Sequence, residues 1–330
     1  MKKIVILGSG SFGCSIANVV ASNNYQTYLW SFDQEEAQKL EETRENLLIK
    51  GAKIDEKIKI TTDLNIVNEV DYIVYVIPSF ALRQTSQNIN KILTTKKNFV
   101  ICTKGLEAKT MKSGYEIVNE EINLVQDIAI LSGPTHAEEL AFAKYTTIVA
   151  TSENLAYAQS VQKIFNNSYL RVYTNTDIKG VELVGAAKNV LAIAAGICDS
   201  HPKLGDNAKA ALLTRGLREL TIIGAVQDCN QSTFYGLTGL GDLIVTATSR
   251  HSRNRKFGEL LGKGLTKEEA QKEVGMVVEG IYSVQALQQL SDSVKEDLPI
   301  IKSIYQVLFE NLPIEDILTE VFKRDTKHEG

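Results

Sequence analysis

Cysteine and histidine are scarce in this sequence, with four of each among 330 residues. The cysteines lie far apart, form no CxxC pair and have no cluster of histidines beside them. Such a pattern supplies no metal-ligand set and is typical of reduced structural thiols. We therefore expect no metal site and four free cysteines, at Cys14, Cys102, Cys198 and Cys229.

An excess of charge of either sign is also absent, because 36 basic residues face 40 acidic ones for a formal net charge of -4. A chain without a strong basic field does not recruit nucleic acid or acidic membranes. Five prolines and a hydrophobic content of 44% exclude a disordered scaffold. The length corresponds to about two domains, and we expect a small-molecule ligand.

Long hydrophobic runs are missing as well. The amino-terminal run, residues 4–7, is too short for the core of a signal peptide. The richest apolar stretch, residues 183–197, contains Lys188 and Asn189 and falls short of the ~20 residues that a membrane span needs. We expect no membrane span and a cytoplasmic protein.

The hydrophobic pattern of the sequence changes near residue 177 and divides the chain into two parts. The first part alternates short β-branched runs with amphipathic stretches, which predicts a parallel sheet with crossover helices. The second part has long helical periods without strand alternation, so we expect domains at 1–177 and 178–330. The predicted strands are 3–7, 26–30, 58–61, 72–77, 99–103, 128–131, 146–150 and 170–173, and the predicted helices include 12–22, 35–48, 80–90, 154–165, 178–198 and 207–227.

A glycine-rich turn, Gly8-Ser9-Gly10-Ser11-Phe12-Gly13, directly follows the first predicted strand. In a GxGxxG loop the first glycine allows the tight turn, the second admits a pyrophosphate, and the third lets helix and strand pack closely. The helix amino terminus then binds the phosphates. With a strand, helix and second strand around it, the loop predicts dinucleotide binding.

The second strand ends in Trp30-Ser31-Phe32-Asp33. An acidic residue at this place accepts hydrogen bonds from the adenosine ribose of NAD. Asp33 fits that role, but it equally fits the cap of the helix that follows at Glu35. Both interpretations remain open from the sequence.

Lys188 is the most unusual residue of the second part. On a helix it shares a face with Val184, Leu191 and Ala195, none of which can pair with an ammonium. Burial on such a face lowers a lysine pKa toward neutrality and makes the amine a usable general base. The alternative is an apolar stem laid along the surface with its head in water.

Taken together, the motifs resemble the NAD(P)-dependent glycerol-3-phosphate dehydrogenase family over nearly the whole chain. The resemblance implies an α/β fold with an N-terminal Rossmann-like domain and an all-α domain of the 6-phosphogluconate dehydrogenase C-terminal type, with the active cleft between them. The matching segments are residues 8–13, 102–105, 132–137, 182–189, 204–207 with 214–217, 239–242, 252–255 and 277–280.

The resemblance also implies the site residues. Lys188 is the proton acceptor, and Lys104 touches both substrate and cofactor; alone, Lys104 would be an exposed loop residue and Asp242 a helix cap. The catalytic set is Lys188, Lys104 and Asp242. The cofactor set is Gly8, Gly10, Ser11, Phe12, Gly13, Phe32, Lys104, Ala137, Arg253, Val277 and Glu279. The substrate set is Lys104, Gly133, Thr135, Lys188, Asn189, Asp242, Thr246, Ser252, Arg253 and Asn254, where residues 252–254 could otherwise be a solvated basic loop.

The adenosine end departs from the family, which has an arginine or histidine where this chain has Phe32. The resemblance implies NAD(H) or NADP(H) as cofactor, but Phe32 and Asp33 predict that any preference for NADPH is weak or absent unless Lys39 or Arg44 supplies a cation. Neither the residues nor the family assigns catalysis to His136, His201 or His251.

The implied activity is reversible reduction of dihydroxyacetone phosphate to sn-glycerol 3-phosphate, for phospholipid synthesis, by a homodimer. Two other classes compete with it: another β-hydroxyacid or 6-phosphogluconate-type dehydrogenase, and a non-catalytic dinucleotide sensor. The segment 252–254 together with Asp242 favours a short phosphorylated substrate over the first. Retention of Lys104, Lys188 and Asp242 argues against the second.

Overall fold

The computed structural model describes residues 2–107, 110–323 and 328. Its first part is an eight-stranded sheet in the order β3-β2-β1-β4-β5-β6-β7-β8. Apolar side chains cover both faces, as in a doubly wound sheet. The strands are β1 Lys3–Leu7, β2 Gln26–Trp30, β3 Lys59–Thr61, β4 Tyr72–Tyr75, β5 Lys97–Ile101, β6 Val125–Ser132, β7 Thr146–Thr151 and β8 Leu170–Asn175.

The sheet is parallel except where β6 meets β7, which run antiparallel with Ile130 opposite Thr151. The prediction of a parallel sheet is therefore wrong for this pair. The connection between the two strands, residues 133–145, contains the four-residue helix α5, Ala137–Leu140, whereas the parallel strands β7 and β8 are connected by a helix of 11 residues. All the other strand pairs of the described sheet are parallel.

Helices connect most of the strands. The predicted helix 35–48 is shorter than expected, because Arg44 has a left-handed φ of 50° and ends it at Thr43. The Arg44 guanidinium donates to the Ile58 carbonyl at 2.7 Å, which holds the chain in this turn. The helices are α1 Ser11–Ser22, α2 Gln34–Thr43, α3 Ser79–Ile92, α4 Gly114–Glu121, α5 and α6 Leu155–Phe165, with a short 3-10 turn at Leu64–Asn68.

The second part is all helical among the described residues and is built around α7, Ile178–Ser200. Asp177 caps α7 by accepting a hydrogen bond from the Gly180 amide. The other helices are α8 Asp206–Val226, α9 Gln231–Tyr235, α10 Asp242–Thr248, α11 Arg253–Gly262, α12 Lys267–Val274, α13 Glu279–Asp292, α14 Pro299–Phe309 and α15 Ile314–Phe322, with a π-turn at Leu237–Gly241.

Helix α7 is longer than the sequence predicts, and its length and composition alone would allow it to cross a membrane. The whole of its apolar window is buried inside the protein, as in the core helix of a soluble fold. It packs closely on α11 at Gly258, where an added Cβ would lie 1.9 Å from the Ile193 carbonyl oxygen. This approach brings the start of α11 beside Lys188 and Asn189.

Candidate active site

A cleft of about 610 Å³ separates the carboxyl edge of the sheet from the helical part. It contains most of the site residues predicted from the sequence. Gly8 and Gly133 are not among the residues that line it, and neither is Phe32. Those that line it are Gly10, Ser11, Phe12, Gly13, Lys104, Thr135, Ala137, Lys188, Asn189, Asp242, Thr246, Ser252, Arg253, Asn254, Val277 and Glu279.

The glycine loop has the geometry that a dinucleotide pyrophosphate requires. Gly8 has a φ of +115°, and a Cβ there would lie 2.4 Å from the Val76 carbonyl oxygen. A Cβ on Gly13 would lie 1.9 Å from the Gly8 carbonyl oxygen, whereas one on Gly10 would meet nothing within 4 Å. No side chain caps α1 at Gly10. The open side of Gly10 and the uncapped helix therefore fit a bound phosphate group.

Three charged side chains meet at the floor of the cleft. The Lys188 Nζ atom is in contact with Asp242 Oδ1, and Lys104 Nζ lies 2.9 Å from Asp242 Oδ2. Lys104 also donates to the Gly133 carbonyl at 2.9 Å, and Lys188 donates to Thr246 Oγ1 at 3.1 Å. One charge thus comes from each of three places, namely helix α7, helix α10 and the loop after β5.

The charges of this cluster are coupled through burial. The pKa of Lys188 is lowered to about 7, because burial and the nearby Lys104 ammonium together outweigh the opposing effect of Asp242. Burial acts to raise the pKa of Asp242, but the two ammonium groups outweigh it and hold that pKa below its usual value. Lys188 can therefore exchange a proton near neutral pH while Asp242 stays ionised.

A second polar chain ties three helices together. Asn254 Nδ2 donates to Asn189 Oδ1 at 3.0 Å, and the Gly280 amide donates to Asn254 Oδ1 at 2.9 Å. Ser252 caps α11 by accepting from the Arg255 amide at 3.2 Å. Arg253 is exposed at the mouth of the cleft. Its guanidinium is therefore placed to meet an anion from solution.

Glu279 joins the two sides of the cleft through a residue that the sequence analysis missed. The Ser79 hydroxyl donates to Glu279 Oε2 at 2.6 Å, and the Ser79 amide donates to Oε1 at 3.3 Å. Burial raises the pKa of Glu279, although Ser79 and Arg253 counteract it. Ser79 follows Pro78 at the start of α3, and that local pattern gave no sign of a partner 200 positions away.

The residues expected at the adenosine end directly follow β2. Phe32 is 89% exposed, and its ring makes an edge contact with Trp30 at 6.3 Å between centroids. Asp33 caps α2, because its Oδ1 accepts from the Glu36 amide at 2.9 Å. Of the two interpretations left open for Asp33, the structure shows the cap directly.

Two histidines that sequence reasoning set aside also line the cleft. The rings of His136 and His251 lie 6.0 Å apart between centroids. Burial lowers the pKa of His136, since the ring is largely removed from water. The position of His136 between Thr135 and Ala137, both predicted site residues, was the only signal that could have found it.

Comparison with known proteins agrees with this geometry. The family model described as the NAD-dependent glycerol-3-phosphate dehydrogenase N-terminus matches residues 3–158, and the corresponding C-terminus model matches residues 177–319. The chain belongs to this family. The resemblance inferred from the motifs is thereby confirmed.

Individual relatives match from end to end. A glycerol-3-phosphate dehydrogenase [NAD(P)+] of Staphylococcus epidermidis is 43% identical, with all of both chains covered. The relative of the same name from Fusobacterium nucleatum is also 43% identical, covering 100% of this chain and 99% of its own. The crystal structure of glycerol-3-phosphate dehydrogenase from Coxiella burnetii superposes with a TM-score of 0.92 at 35% identity, covering 98% of this chain and 99% of that one. The expected two-part fold is thus confirmed.

The glycine loop gives a prediction that separates binding from folding. Gly10 has φ -64° and ψ -178°, which alanine also adopts, so Gly10→Ala should leave the free energy of unfolding unchanged. Its methyl group would occupy the place of the pyrophosphate and weaken NADH binding by at least about tenfold. Gly13→Ala should instead lower the free energy of unfolding by about 1–3 kcal/mol through overpacking.

Chemical denaturation and NADH titration of the two variants are the measurements. Equal losses of stability in both, or wild-type NADH affinity in Gly10→Ala, would contradict this assignment of the loop.

Proposed function

We propose that the protein catalyses the reversible NAD(P)H-dependent reduction of dihydroxyacetone phosphate to sn-glycerol 3-phosphate, which supplies the glycerol phosphate backbone of phospholipids. The observation that carries the proposal is the contact of Lys188 and Lys104 with the buried carboxylate of Asp242, in a cleft that the glycine loop also lines. The relatives' name, glycerol-3-phosphate dehydrogenase [NAD(P)+], supports the substrate assignment.

The cofactor is NAD(H) or NADP(H), and the hydride chemistry comes from its nicotinamide when it is bound. Gly10 and the amino terminus of α1 hold the pyrophosphate. Among the residues that line the cleft, those assigned to the rest of the cofactor are Ser11, Phe12, Lys104, Ala137, Arg253, Val277 and Glu279.

Lys188 moves the proton. In the oxidation direction its neutral amine accepts the proton of the substrate C2 hydroxyl, and in the reduction direction its ammonium returns that proton to the C2 oxygen. A pKa of about 7 suits both directions, because neither protonation state is scarce near neutral pH. The Thr246 hydroxyl and the Asp242 carboxylate fix the direction of the amine.

Lys104 stabilises the charge that develops on the C2 oxygen. Its ammonium is held by Asp242 and by the Gly133 carbonyl, so it is already in place before the reaction. A fixed cation lowers the energy of a developing alkoxide more than a mobile one does. Thr135 lines the cleft on this side, and Gly133 acts through its carbonyl, which holds Lys104.

The substrate phosphate binds at the start of α11. Arg253 supplies a charged fork there, while the helix amino terminus adds its dipole. Ser252 caps the same helix, and Asn254 is fixed by Asn189 and Gly280. Asn189 and Asn254 therefore set the position of the anchor relative to Lys188.

Three further points belong to the proposal. We place the boundary between the cofactor domain and the substrate domain at residue 177, between the end of β8 at Asn175 and the start of α7 at Ile178. The enzyme acts as a homodimer, and it acts in the cytoplasm.

The first test concerns the proton. The wild-type protein should oxidise NADH or NADPH when dihydroxyacetone phosphate is added, followed by nicotinamide absorbance. Lys188→Arg keeps the charge but cannot release a proton, so turnover should fall by ~100- to 10,000-fold. Lys188→Met, which keeps the apolar stem, should lose as much while retaining NADH affinity and thermal stability.

If Lys188→Arg retained most of the wild-type turnover with hydride transfer rate-limiting, Lys188 would be an electrostatic contact and not the general base. A deuterated nicotinamide establishes whether hydride transfer limits the rate.

The second test concerns the phosphate. Arg253→Ala should cost about 2–3 kcal/mol of substrate binding, equivalent to a roughly 30- to 150-fold loss of kcat/KM with dihydroxyacetone phosphate. The loss of kcat/KM with unphosphorylated dihydroxyacetone should be much smaller. Arg250→Ala removes a charge from an exposed residue just outside the cleft and serves as the matched control. An equal loss on both substrates in Arg253→Ala would refute the anchor.

A further inference from the structure

A chain of hydrogen bonds links the glycine loop to the start of α2. The Ser9 hydroxyl donates to Ser31 Oγ at 2.8 Å, and Ser31 Oγ donates to Glu36 Oε2 at 3.0 Å. Ser31 is completely buried, and Glu36 is half-buried in the first turn of the helix. The Glu36 carboxylate is therefore anchored to the loop at the carboxyl ends of β1 and β2.

This place matters because the adenosine ribose of a bound dinucleotide lies between the glycine loop and the end of β2. Burial and then the charge of Glu36 raise the pKa of the Cys14 thiol to about 12. Cys14 in turn donates from its thiol to the Ser9 carbonyl at 3.1 Å. Glu36 is thus close enough to act electrostatically on Cys14, the residue that directly follows the loop.

Asp33 is the acidic residue for which the sequence suggested a contact with the adenosine ribose, but in the structure it caps α2. Its Oδ1 accepts a hydrogen bond from the Glu36 amide at the start of α2, and its side chain is exposed. Glu36 instead uses only Oε2 in its bond to Ser31. No hydrogen bond to Glu36 Oε1 is formed within the described residues, which leaves that oxygen for a ligand hydroxyl.

The structure also shows which cations near the end of β2 could bind a 2'-phosphate. Arg44 donates to the Ile58 carbonyl and pairs with Glu41, so its guanidinium is committed away from the loop. Phe32 stands at the position where the family has a cation. Lys39, exposed on α2, is the remaining candidate on this helix.

We propose that Glu36, not Asp33, reads the adenosine 2' position and that it makes this protein prefer NAD(H) to NADP(H). The proposal rests on the proposed function, since it assumes that the glycine loop binds a nicotinamide dinucleotide. Glu36 Oε1 accepts a hydrogen bond from the 2'-hydroxyl of NAD. A 2'-phosphate would instead bring about two negative charges against the anchored carboxylate.

The experiment measures binding separately from turnover. Dissociation constants for NADH and NADPH are obtained by fluorescence titration, and those for AMP and adenosine 2',5'-bisphosphate by calorimetry. The wild-type protein should bind NADH at least about tenfold more tightly than NADPH. The two adenosine fragments should show the same order, and the preference should shrink as salt screens the repulsion.

Glu36→Gln isolates the charge, because the amide oxygen can still accept from Ser31. It should raise NADPH affinity by about 5- to 10-fold while changing NADH affinity by less than about threefold. Glu35→Gln makes the same charge change on the exposed neighbouring residue of the first turn. This matched control should leave the ratio of the two affinities within about twofold of the wild-type ratio.

Equal or tighter binding of NADPH by the wild-type protein would overturn the proposal, and Lys39→Gln would then test the alternative cation. Equal shifts in Glu36→Gln and Glu35→Gln would also overturn it, because only overall charge would be acting. Tight binding of NADH without reduction of dihydroxyacetone phosphate would leave this proposal standing and refute the proposed function. Binding of neither dinucleotide would refute both.

Discussion

The site depends on the contacts of Lys188 and Lys104 with the buried carboxylate of Asp242. With Lys188 neutral, Asp242 and Lys104 form a balanced pair; with Lys188 protonated, the cluster carries one uncompensated positive charge away from water. An unbalanced buried charge costs several kcal/mol. This cost explains why the pKa of Lys188 falls to about 7 while that of Asp242 stays low.

The same cluster joins the two parts of the chain. Lys104 follows β5 in the sheet, Lys188 lies in the middle of α7, and Asp242 begins α10 directly after the π-turn. Local departures of this kind from a regular helix are frequent at functional sites. The close packing of α11 on α7 at Gly258 then fixes the distance between the phosphate anchor and the proton-transfer group.

Local patterns predicted the parts of the structure that local physics controls. The glycine loop and the early strands follow from periodicity and turn chemistry. Lys188 was identified because burying an ammonium on an apolar helix face is unfavourable unless the residue has a function. The antiparallel direction of β7 was missed because the apolar residues of a buried strand do not show the direction in which the strand runs. The end of α2 was missed because it depends on the contact of Arg44 with the distant Ile58 carbonyl.

Partnerships between distant side chains could not be predicted. The bond of Ser79 to Glu279 and the anchoring of Glu36 by Ser31 leave no trace in spacing, since each side chain has an ordinary local role as well. Family resemblance supplied the identities of most cleft residues. The resemblance did not give the protonation states of these residues, and it did not indicate the hydrogen bond between Ser31 and Glu36. Both follow from burial and contacts in the folded chain.

The most direct test of this account is the titration of Lys188 itself. In protein labelled with 13C at the lysine side chains, the Lys188 signal is the one missing from Lys188→Met. The account predicts that this signal titrates near pH 7, because burial and Lys104 disfavour the charged form. A titration near 10.5, the ordinary value for lysine, would show that the ammonium is stably paired and would contradict proton transfer by Lys188.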